Sequence, residues 1–140
     1  MSNMTEVVLQ VGVKALIKNA EGRYLVLERS VEKYPEVPNR WDIPGGRIDP
    51  GSTLLDNLTR EIREETGLTL TGNPSLVAAQ DILRIAGKHI VRLTYIVTVE
   101  AGEPQLDGDE HDRFDYFSLE ELRNKKGVDI YVQEVAQKFL

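Results

Sequence analysis

The stretch GGRIDPGSTLLDNLTREIREETGL, residues 45–68, decides the fold, because it predicts a loop, a tight turn and then a helix with a defined start and end. Thr53 is a candidate N-cap, and Asp56, three residues on, can reach back to close a capping box. Gly67 suits the left-handed position that ends a helix, and Leu68 can fold back on the last turn as its apolar partner. We therefore expect about 13 helical residues, which is roughly 20 Å of rod at 1.5 Å per residue.

Three carboxylates of this helix fall beside its apolar face. Glu61 and Glu65, four residues apart, lie on the flank of the apolar stripe, and Glu64 stands one step round from Glu61. If they were partly desolvated, charges ~5 Å apart would repel by roughly 3 kcal/mol per pair. A divalent cation would remove this cost, and clustered oxygens in a chain with no Cys and only two His favour Mg²⁺ or Mn²⁺ over Zn²⁺. The stripe consists of Leu54, Leu58 and Ile62, with Leu55 at one edge.

The run Arg-Glu-x-Arg-Glu-Glu is, on its own, typical of a solvated helix face. The complete spacing is more specific. It resembles the motif of the Nudix hydrolase family: Gly, five residues, Glu, seven residues, then Arg-Glu-hydrophobic-x-Glu-Glu-x-Gly-hydrophobic. Ser52 stands where the family has its first Glu, which chiefly helps to fix the junction between loop and helix, so this departure affects geometry before metal ligation. The positions in register are Gly46, Arg60, Glu61, Ile62, Glu64, Glu65, Gly67 and Leu68.

The resemblance implies an enzyme that hydrolyses a pyrophosphate bond with the help of Mg²⁺ or Mn²⁺. The substrate it implies is a small-molecule nucleotide or nucleoside diphosphate derivative, such as a nucleotide sugar, ADP-ribose or a nucleoside triphosphate. A pyrophosphate bridge is shielded by its own negative oxygens. Divalent ions overcome this, because they neutralise those oxygens and lower the pKa of bound water.

The resemblance also implies roles for individual residues. By position, Glu61, Glu64 and Glu65 correspond to metal ligands, and Gly45 corresponds to the residue whose carbonyl joins them. Arg60 corresponds to the partner that holds the glutamates in place. The first two glutamates and Arg60 are therefore also candidate catalytic residues.

The general base varies within the family, where it is sometimes a helix glutamate and sometimes an acid on a later loop. Glu110 is the loop candidate because it precedes the aromatic strand, and Asp109 and Asp112 are its rivals. Arg29, at the end of a predicted strand, and Arg47 are candidate substrate-binding residues. For Arg29 a solvated charge at a sheet edge is the alternative.

Length and composition restrict the class of protein. A chain of 140 residues with 41% hydrophobic and 29% charged residues is typical of one globular domain, so we expect residues 1–140 to form a single domain. The net charge of −6 argues against a nucleic-acid partner, and no segment approaches the roughly 20 apolar residues of a membrane span. Absence of Cys fits a cytoplasmic setting. Homodimers are common in the family.

The order of predicted elements is strands, the motif helix, further strands and a terminal helix, which predicts an α+β fold with a mixed sheet. The resemblance sharpens this to an α/β/α sandwich, with a mixed central β-sheet between the motif helix and the C-terminal helix. We expect the first two strands to form a hairpin across the turn that follows Asn19. The strands are predicted at 7–17, 24–29, 76–83, 89–100 and 113–117.

Two alternatives to the active hydrolase remain at this stage. One is a catalytically weakened Nudix-fold module that binds a nucleotide, with Ser52 as the mark of its decay, and reduced activity or an altered metal count would accompany it. The other is a structural domain with an acidic helix, which predicts that millimolar Mg²⁺ leaves the melting temperature unchanged. Retention of all three helix glutamates favours the hydrolase.

Overall fold

The computed structural model of the protein describes residues 6–140. These residues form seven strands and three helices. The strands are β1 (Val8–Ile17), β2 (Tyr24–Arg29), β3 (Trp41–Asp42), β4 (Gly45–Arg47), β5 (Leu70–Ile82), β6 (Lys88–Val99) and β7 (His111–Phe117), and the helices are α1 (Leu54–Thr66), α2 (Leu119–Asn124) and α3 (Ile130–Lys138).

The strands form two sheets. A four-stranded sheet has the order β4-β1-β6-β5, in which β1 runs parallel to β6 and the other pairs are antiparallel. A three-stranded antiparallel sheet has the order β3-β2-β7. The predicted mixed sheet and α+β class are therefore confirmed.

Two apolar cores lie on opposite sides of the sheets, because successive side chains of a strand point to opposite faces. Val13 and Leu25 pack with Leu58 and Ile62 of α1 on one side. The side chain of Leu16 points to the opposite face of β1 and packs with α2 and α3 on the other side. This arrangement places the sheets between the motif helix and the C-terminal helices, as predicted.

Helix α1 has the predicted bounds. Thr53 Oγ1 accepts a hydrogen bond from the Asp56 N–H at 3.0 Å, which is the first half of the predicted capping box. Gly67 has φ 70°, a left-handed conformation, and its N–H donates to the Arg63 carbonyl. The helix therefore ends where the sequence predicts, and its carboxylates are fixed relative to the loop before it.

The predicted hairpin between β1 and β2 is wrong. One bridge, between Lys18 and Tyr24, joins the two segments, after which β1 and β2 belong to different sheets. The physical reason is the long-range pairing of β1, since β6 runs along one edge from Val8 to Ile17 and β4 pairs with the other edge. No helix within residues 6–140 is long and apolar enough to cross a membrane.

Candidate active site

The segment before α1 packs tightly against β1 and approaches the helix, and position 45 admits only glycine. Gly45 lies in β4 opposite Lys14 of β1 and has φ 143°. A Cβ on Gly45 would lie 2.0 Å from the Val13 carbonyl oxygen, and one on Gly46 would lie 2.8 Å from the Glu61 carboxylate. The glycine pair therefore lets the backbone of β4 touch both β1 and the carboxylates of α1.

Arg60 holds two of the helix glutamates. Its Nη2 lies 2.9 Å from Glu61 Oε1, and its Nε lies 3.7 Å from Glu64 Oε1. The Glu61 side chain is 14% exposed, whereas that of Glu64 is 59% exposed. The same guanidinium reaches the carboxylate of Asp49 in the preceding loop. Arg60 therefore connects the loop to the two carboxylates.

Glu65 is turned toward the backbone of the glycine loop. Its Oε2 accepts a hydrogen bond from the Gly45 N–H at 3.2 Å, and its side chain is 12% exposed. Burial raises the pKa of Glu65 from 4.5 to about 8, and the Glu61 charge also raises it, while Lys14 and the Gly45 N–H act in the opposite direction. A carboxylate at this position is costly to ionise unless a cation comes close.

A cavity of about 290 Å³, the carboxylate cavity, opens beside these groups. Its walls include the three helix glutamates at 61, 64 and 65 and the two glycines at 45 and 46. The structure therefore brings together the predicted metal ligands and the predicted loop. Glu110 and Arg29 also line this cavity. Arg47 lines a neighbouring cavity, which Arg29 lines as well.

Glu110, the predicted loop base, is already engaged. Its carboxylate accepts hydrogen bonds from Lys33 Nζ and Tyr34 Oη, and these two bonds hold the pKa of Glu110 below its ordinary value. Its rivals lie outside the carboxylate cavity, because Asp109 and Asp112 line a separate surface depression. Asp112 also accepts a hydrogen bond from the Val31 N–H.

Four further charged groups, which sequence reasoning missed, form a buried network. Asp42 accepts hydrogen bonds from Lys14 Nζ and Arg29 Nη2, both at 3.1 Å, and from Arg92 Nη2 at 2.7 Å. Burial alone would raise the pKa of Asp42, but the three cations hold it well below its ordinary value. Arg92 also donates to Asp129, whose carboxylate caps α3. The sequence signal was a single charge inside an apolar run, as with Lys14 in β1.

His111 and Asp107 are the other cavity residues that the sequence did not single out. His111 Nε2 lies 3.9 Å from Glu65 Oε1, and its Nδ1 is buried without a hydrogen-bond partner among the described residues. Burial, together with the charges of Lys14 and Arg29, lowers the pKa of His111 from 6.5 to about 4. The imidazole is therefore neutral near pH 7.

Ser52 does not hold the junction between loop and helix. Its side chain is exposed, and the junction is closed by Asn57, which is 1% exposed. Asn57 Oδ1 accepts from the Asp49 N–H at 2.8 Å and from Arg60 Nη1 at 3.0 Å. Its Nδ2 donates to the carbonyl of Thr53 at 2.7 Å. The departure at position 52 therefore leaves a junction with several other hydrogen bonds.

The donor set of the carboxylate cavity suits a hard cation, since it consists of carboxylate and backbone oxygens. Burial of Glu65 with a raised pKa also fits a site that is completed by positive charge. Within residues 6–140, however, no three His, Asp or Glu side chains are arranged as a preformed metal cluster. Glu61 faces Arg60 and Glu65 faces Gly45, so these side chains would have to turn to share one ion.

Comparison with known proteins agrees with this geometry. Residues 8–138 match the profile of the NUDIX domain, and the chain therefore belongs to the Nudix family. Among solved structures, the MutT protein from Methanosarcina mazei Go1 superposes with a TM-score of 0.82 at 26% identity, covering 96% of this chain and 94% of that chain. This likeness confirms the α/β/α sandwich.

Two curated relatives match shorter parts of the chain. A Bacillus subtilis (strain 168) protein named "Putative 8-oxo-dGTP diphosphatase" is 29% identical over 99 residues, which are 71% of this chain and 60% of that protein. The m7GpppN-mRNA hydrolase NUDT17 of Danio rerio is 40% identical over 63 residues, which are 45% of this chain and 21% of that protein. This chain thus spans 60% or less of the length of either relative.

Proposed function

We propose that the protein hydrolyses a phosphoanhydride bond in a small nucleotide or nucleoside diphosphate derivative, with Mg²⁺ or Mn²⁺ as cofactor. The observation that carries this proposal is the convergence of three helix glutamates and a glycine loop on one cavity that also contains two cationic side chains. The names of the two relatives, a diphosphatase and an mRNA cap hydrolase, support the same class of reaction.

Glu61, Glu64, Glu65 and the Gly45 carbonyl would hold the cation. When bound, it would neutralise phosphate oxygens and lower the pKa of a bound water. Arg60 keeps the first two glutamates on the cavity side of α1 through its contacts at 2.9 and 3.7 Å. Its role is therefore to position the carboxylates rather than to contact the reacting atoms.

Lys14 and Arg29 would bind the phosphate groups of the substrate. Both line the carboxylate cavity. Lys14 Nζ and Arg29 Nη2 each lie 3.1 Å from Asp42 Oδ2, so their charged ends are oriented before a substrate arrives. Arg29 is the more accessible of the two, with a side chain that is 33% exposed against 13% for Lys14. A preoriented guanidinium suits the paired oxygens of a phosphate.

For the general base we favour Glu64 over Glu110. Glu110 would have to give up hydrogen bonds to Lys33 and Tyr34 before it could accept a proton from water. Glu64 has one long contact, at 3.7 Å, and a largely exposed side chain, so it can reorient at low cost. Because Glu64 would also be a metal ligand, Glu64→Gln and Glu110→Gln are compared at a metal concentration that saturates each variant. Glu64→Gln should then still lower kcat more than Glu110→Gln, and equal losses would contradict this assignment.

The test of the function is chromatographic detection of nucleoside mono- or diphosphate products from a panel of nucleotide sugars, ADP-ribose, nucleoside triphosphates and 8-oxo-dGTP, with Mg²⁺ or Mn²⁺. At least one substrate class should be hydrolysed, and EDTA should stop the reaction. Glu65→Gln serves as the inactive control, and circular dichroism checks that both proteins are folded. Folded parent protein that hydrolyses none of the panel would refute the proposal.

A second candidate is a nucleotide-binding module with weakened catalysis, and the departure at Ser52 favours it. The hydrogen bonds of Asn57 weigh against it, because they hold the junction without position 52. Titration calorimetry that detects nucleotide binding without any turnover would decide for this candidate.

A further inference from the structure

A second cavity, of about 280 Å³, adjoins the carboxylate cavity and is here called the arginine cavity, after Arg29, Arg47 and Arg84 in its walls. The two cavities share Gly45 and Arg29, so one molecule can reach from one into the other. The same three arginines also line a smaller pocket beside the loop at residues 37–39. They therefore form one continuous basic surface.

The charges of the two cavities are opposite. The carboxylate cavity has five carboxylates in its walls against two cations, whereas the arginine cavity has five cations against two carboxylates. Both carboxylates of the arginine cavity are already engaged, Asp42 with three cations and Asp129 with Arg92 and the start of α3. A basic cavity is unexpected on a protein whose net charge is −6, so it requires a specific cause.

Arg84 and Arg47 are available for an anion. The Arg84 guanidinium lies 5.2 Å from the centre of the Tyr131 ring, a cation–π contact that positions the group but leaves its N–H donors free. Among residues 6–140, the side chains of Arg84 and Arg47 have no ion-pair or hydrogen-bond partner. Positioned arginines without acidic partners are suited to bind phosphate oxygens.

The geometry points to a substrate that bears a phosphate group outside the hydrolysed pyrophosphate bridge, with this extra phosphate bound by Arg84 and Arg47 in the arginine cavity. The inference rests on the proposed function, because it takes the carboxylate cavity as the place where the bridge is cleaved. It goes beyond that function because it assigns a second anion subsite and a specificity-determining residue, Arg84.

Part of the lining of the arginine cavity is apolar. This apolar wall gives a nucleoside or another ring a surface on which to pack while its phosphate binds the arginines. A phosphomonoester on a coenzyme and the first phosphodiester of an RNA 5′ end both offer anionic phosphate oxygens to the arginines. The apolar wall consists of Ile82, Ile85 and Ile90.

The experiment compares kcat/KM within pairs in which one member carries an additional phosphate. The first two pairs differ by that phosphate group alone, and the third differs by a nucleotide joined through it. The pairs are NADPH with NADH, coenzyme A with 3′-dephospho-coenzyme A, and the 5′-triphosphorylated dinucleotide pppApG with ATP. Each pair is measured with the parent, with Arg84→Gln and with the control Arg23→Gln. Arg23 is an exposed arginine paired with Glu121 and lies in neither cavity, so the control removes the same charge from another site.

We expect the parent to prefer the member with the extra phosphate in at least one pair by about tenfold, the scale of one charge-assisted hydrogen bond at a partly exposed site. Arg84→Gln should abolish this preference, and Arg23→Gln should retain it. A preference in the first two pairs assigns the phosphate to a coenzyme, and one in the third pair alone assigns it to an RNA end. Equal kcat/KM within every pair, or equal losses in both variants, would overturn the inference.

A binding measurement separates this inference from the proposed function. Calorimetry compares 5′-AMP with adenosine 2′,5′-bisphosphate and adenosine 3′,5′-bisphosphate, without metal or turnover. Tighter binding of a bisphosphate to the parent and to Arg23→Gln, but not to Arg84→Gln, would support the subsite even if no substrate were hydrolysed. Hydrolysis of ADP-ribose together with equal binding of all three ligands would uphold the function and overturn the subsite.

Discussion

Replacement of Glu65 by Gln should stabilise the metal-free protein in alkaline solution and leave its stability almost unchanged in acid. Burial raises the pKa of the Glu65 carboxyl from 4.5 to about 8 in the folded protein. Between these two values the folded protein retains a proton that the unfolded chain has lost. The unfolded state therefore binds fewer protons, and the free energy of unfolding falls as the pH rises through this window.

The magnitude follows from the two pKa values. Each pH unit between 4.5 and 8 removes about 1.4 kcal/mol of stability, so the loss is roughly 3 kcal/mol at pH 7 and approaches about 5 kcal/mol above pH 8. Below pH 4.5 the carboxyl is protonated in both states, and the full stability is present. Gln resembles the protonated acid and does not ionise, so Glu65→Gln should recover this loss.

The assay is urea unfolding in EDTA at pH 5 and pH 8, with Glu64→Gln as the control because Glu64 is 59% exposed. The stability gain of Glu65→Gln over the parent should be larger at pH 8 by several kcal/mol, whereas the gain of Glu64→Gln should be nearly equal at both pH values. The lowered pKa of His111 makes stability rise with pH between about 4 and 6.5, but this contribution is common to parent and variant. An equal gain at both pH values would refute the burial argument.

Addition of metal should reverse the order of stability of the parent protein and Glu65→Gln. Mg²⁺ or Mn²⁺ at millimolar concentration should raise the melting temperature of the parent, since a cation that binds only the folded state stabilises it by mass action. Glu65→Gln should respond weakly, and its turnover should fall by roughly 100-fold or more. A variant that matches the parent in both respects would show that Glu65 is not a ligand.

Three further predictions concern the supports of the site. Asn57→Ala should lower the free energy of unfolding by about 2–3 kcal/mol, because it removes several buried hydrogen bonds. Ser52→Ala should change the free energy of unfolding by less than about 0.5 kcal/mol. Equal effects of the two substitutions in urea unfolding would contradict this. Asp42→Asn should cost about 3–5 kcal/mol, since it leaves three cations without their shared anion, and an unchanged melting temperature would refute the network. Thr53→Ala should cost about 1 kcal/mol through loss of the N-cap, measured by urea unfolding with circular dichroism, and an unchanged transition would show that the cap contributes nothing.

The motif helix could be predicted almost to the residue because its signals are local. Thr53 caps it, Gly67 ends it in a left-handed conformation, and Leu58 and Ile62 are fully buried. The Nudix spacing in turn predicted that the glycine loop meets the helix carboxylates, and the contact between Gly45 and Glu65 agrees with it. Each of these features depends on residues that lie close together in the chain.

The sheets could not be predicted to the same extent, because strand pairing is set by partners that are distant in the sequence. The turn after Asn19 has the local signature of a hairpin, and it does form one bridge between Lys18 and Tyr24. The competing interaction is the parallel pairing of Val8–Ile17 with β6, which is some eighty residues further along the chain. No feature of the sequence near β1 indicates this pairing. The local signal predicted the turn correctly and the pairing wrongly.

The charged network at Asp42 illustrates the same limit at the site. Its partners Lys14 and Arg92 lie 28 and 50 residues away, and each has apolar residues on both sides in its strand. Only the fold makes them neighbours. An unpaired charge in a buried strand is costly, so such a residue predicts a partner of opposite sign, but the sequence does not identify which one.

This network also explains how a site of opposite charges can be held in place. Asp42 binds Lys14 and Arg29, which face the carboxylate cavity, and it binds Arg92, which leads to Asp129 at the start of α3 in the wall of the arginine cavity. Asp42 therefore anchors Lys14, Arg29 and Arg92, whereas Arg84 and Arg47 lie outside this network. Because removal of the anion would leave Lys14 and Arg29 without their shared support, Asp42→Asn should weaken binding of a substrate's bridging phosphates. Arg84→Gln should weaken binding of the extra phosphate alone.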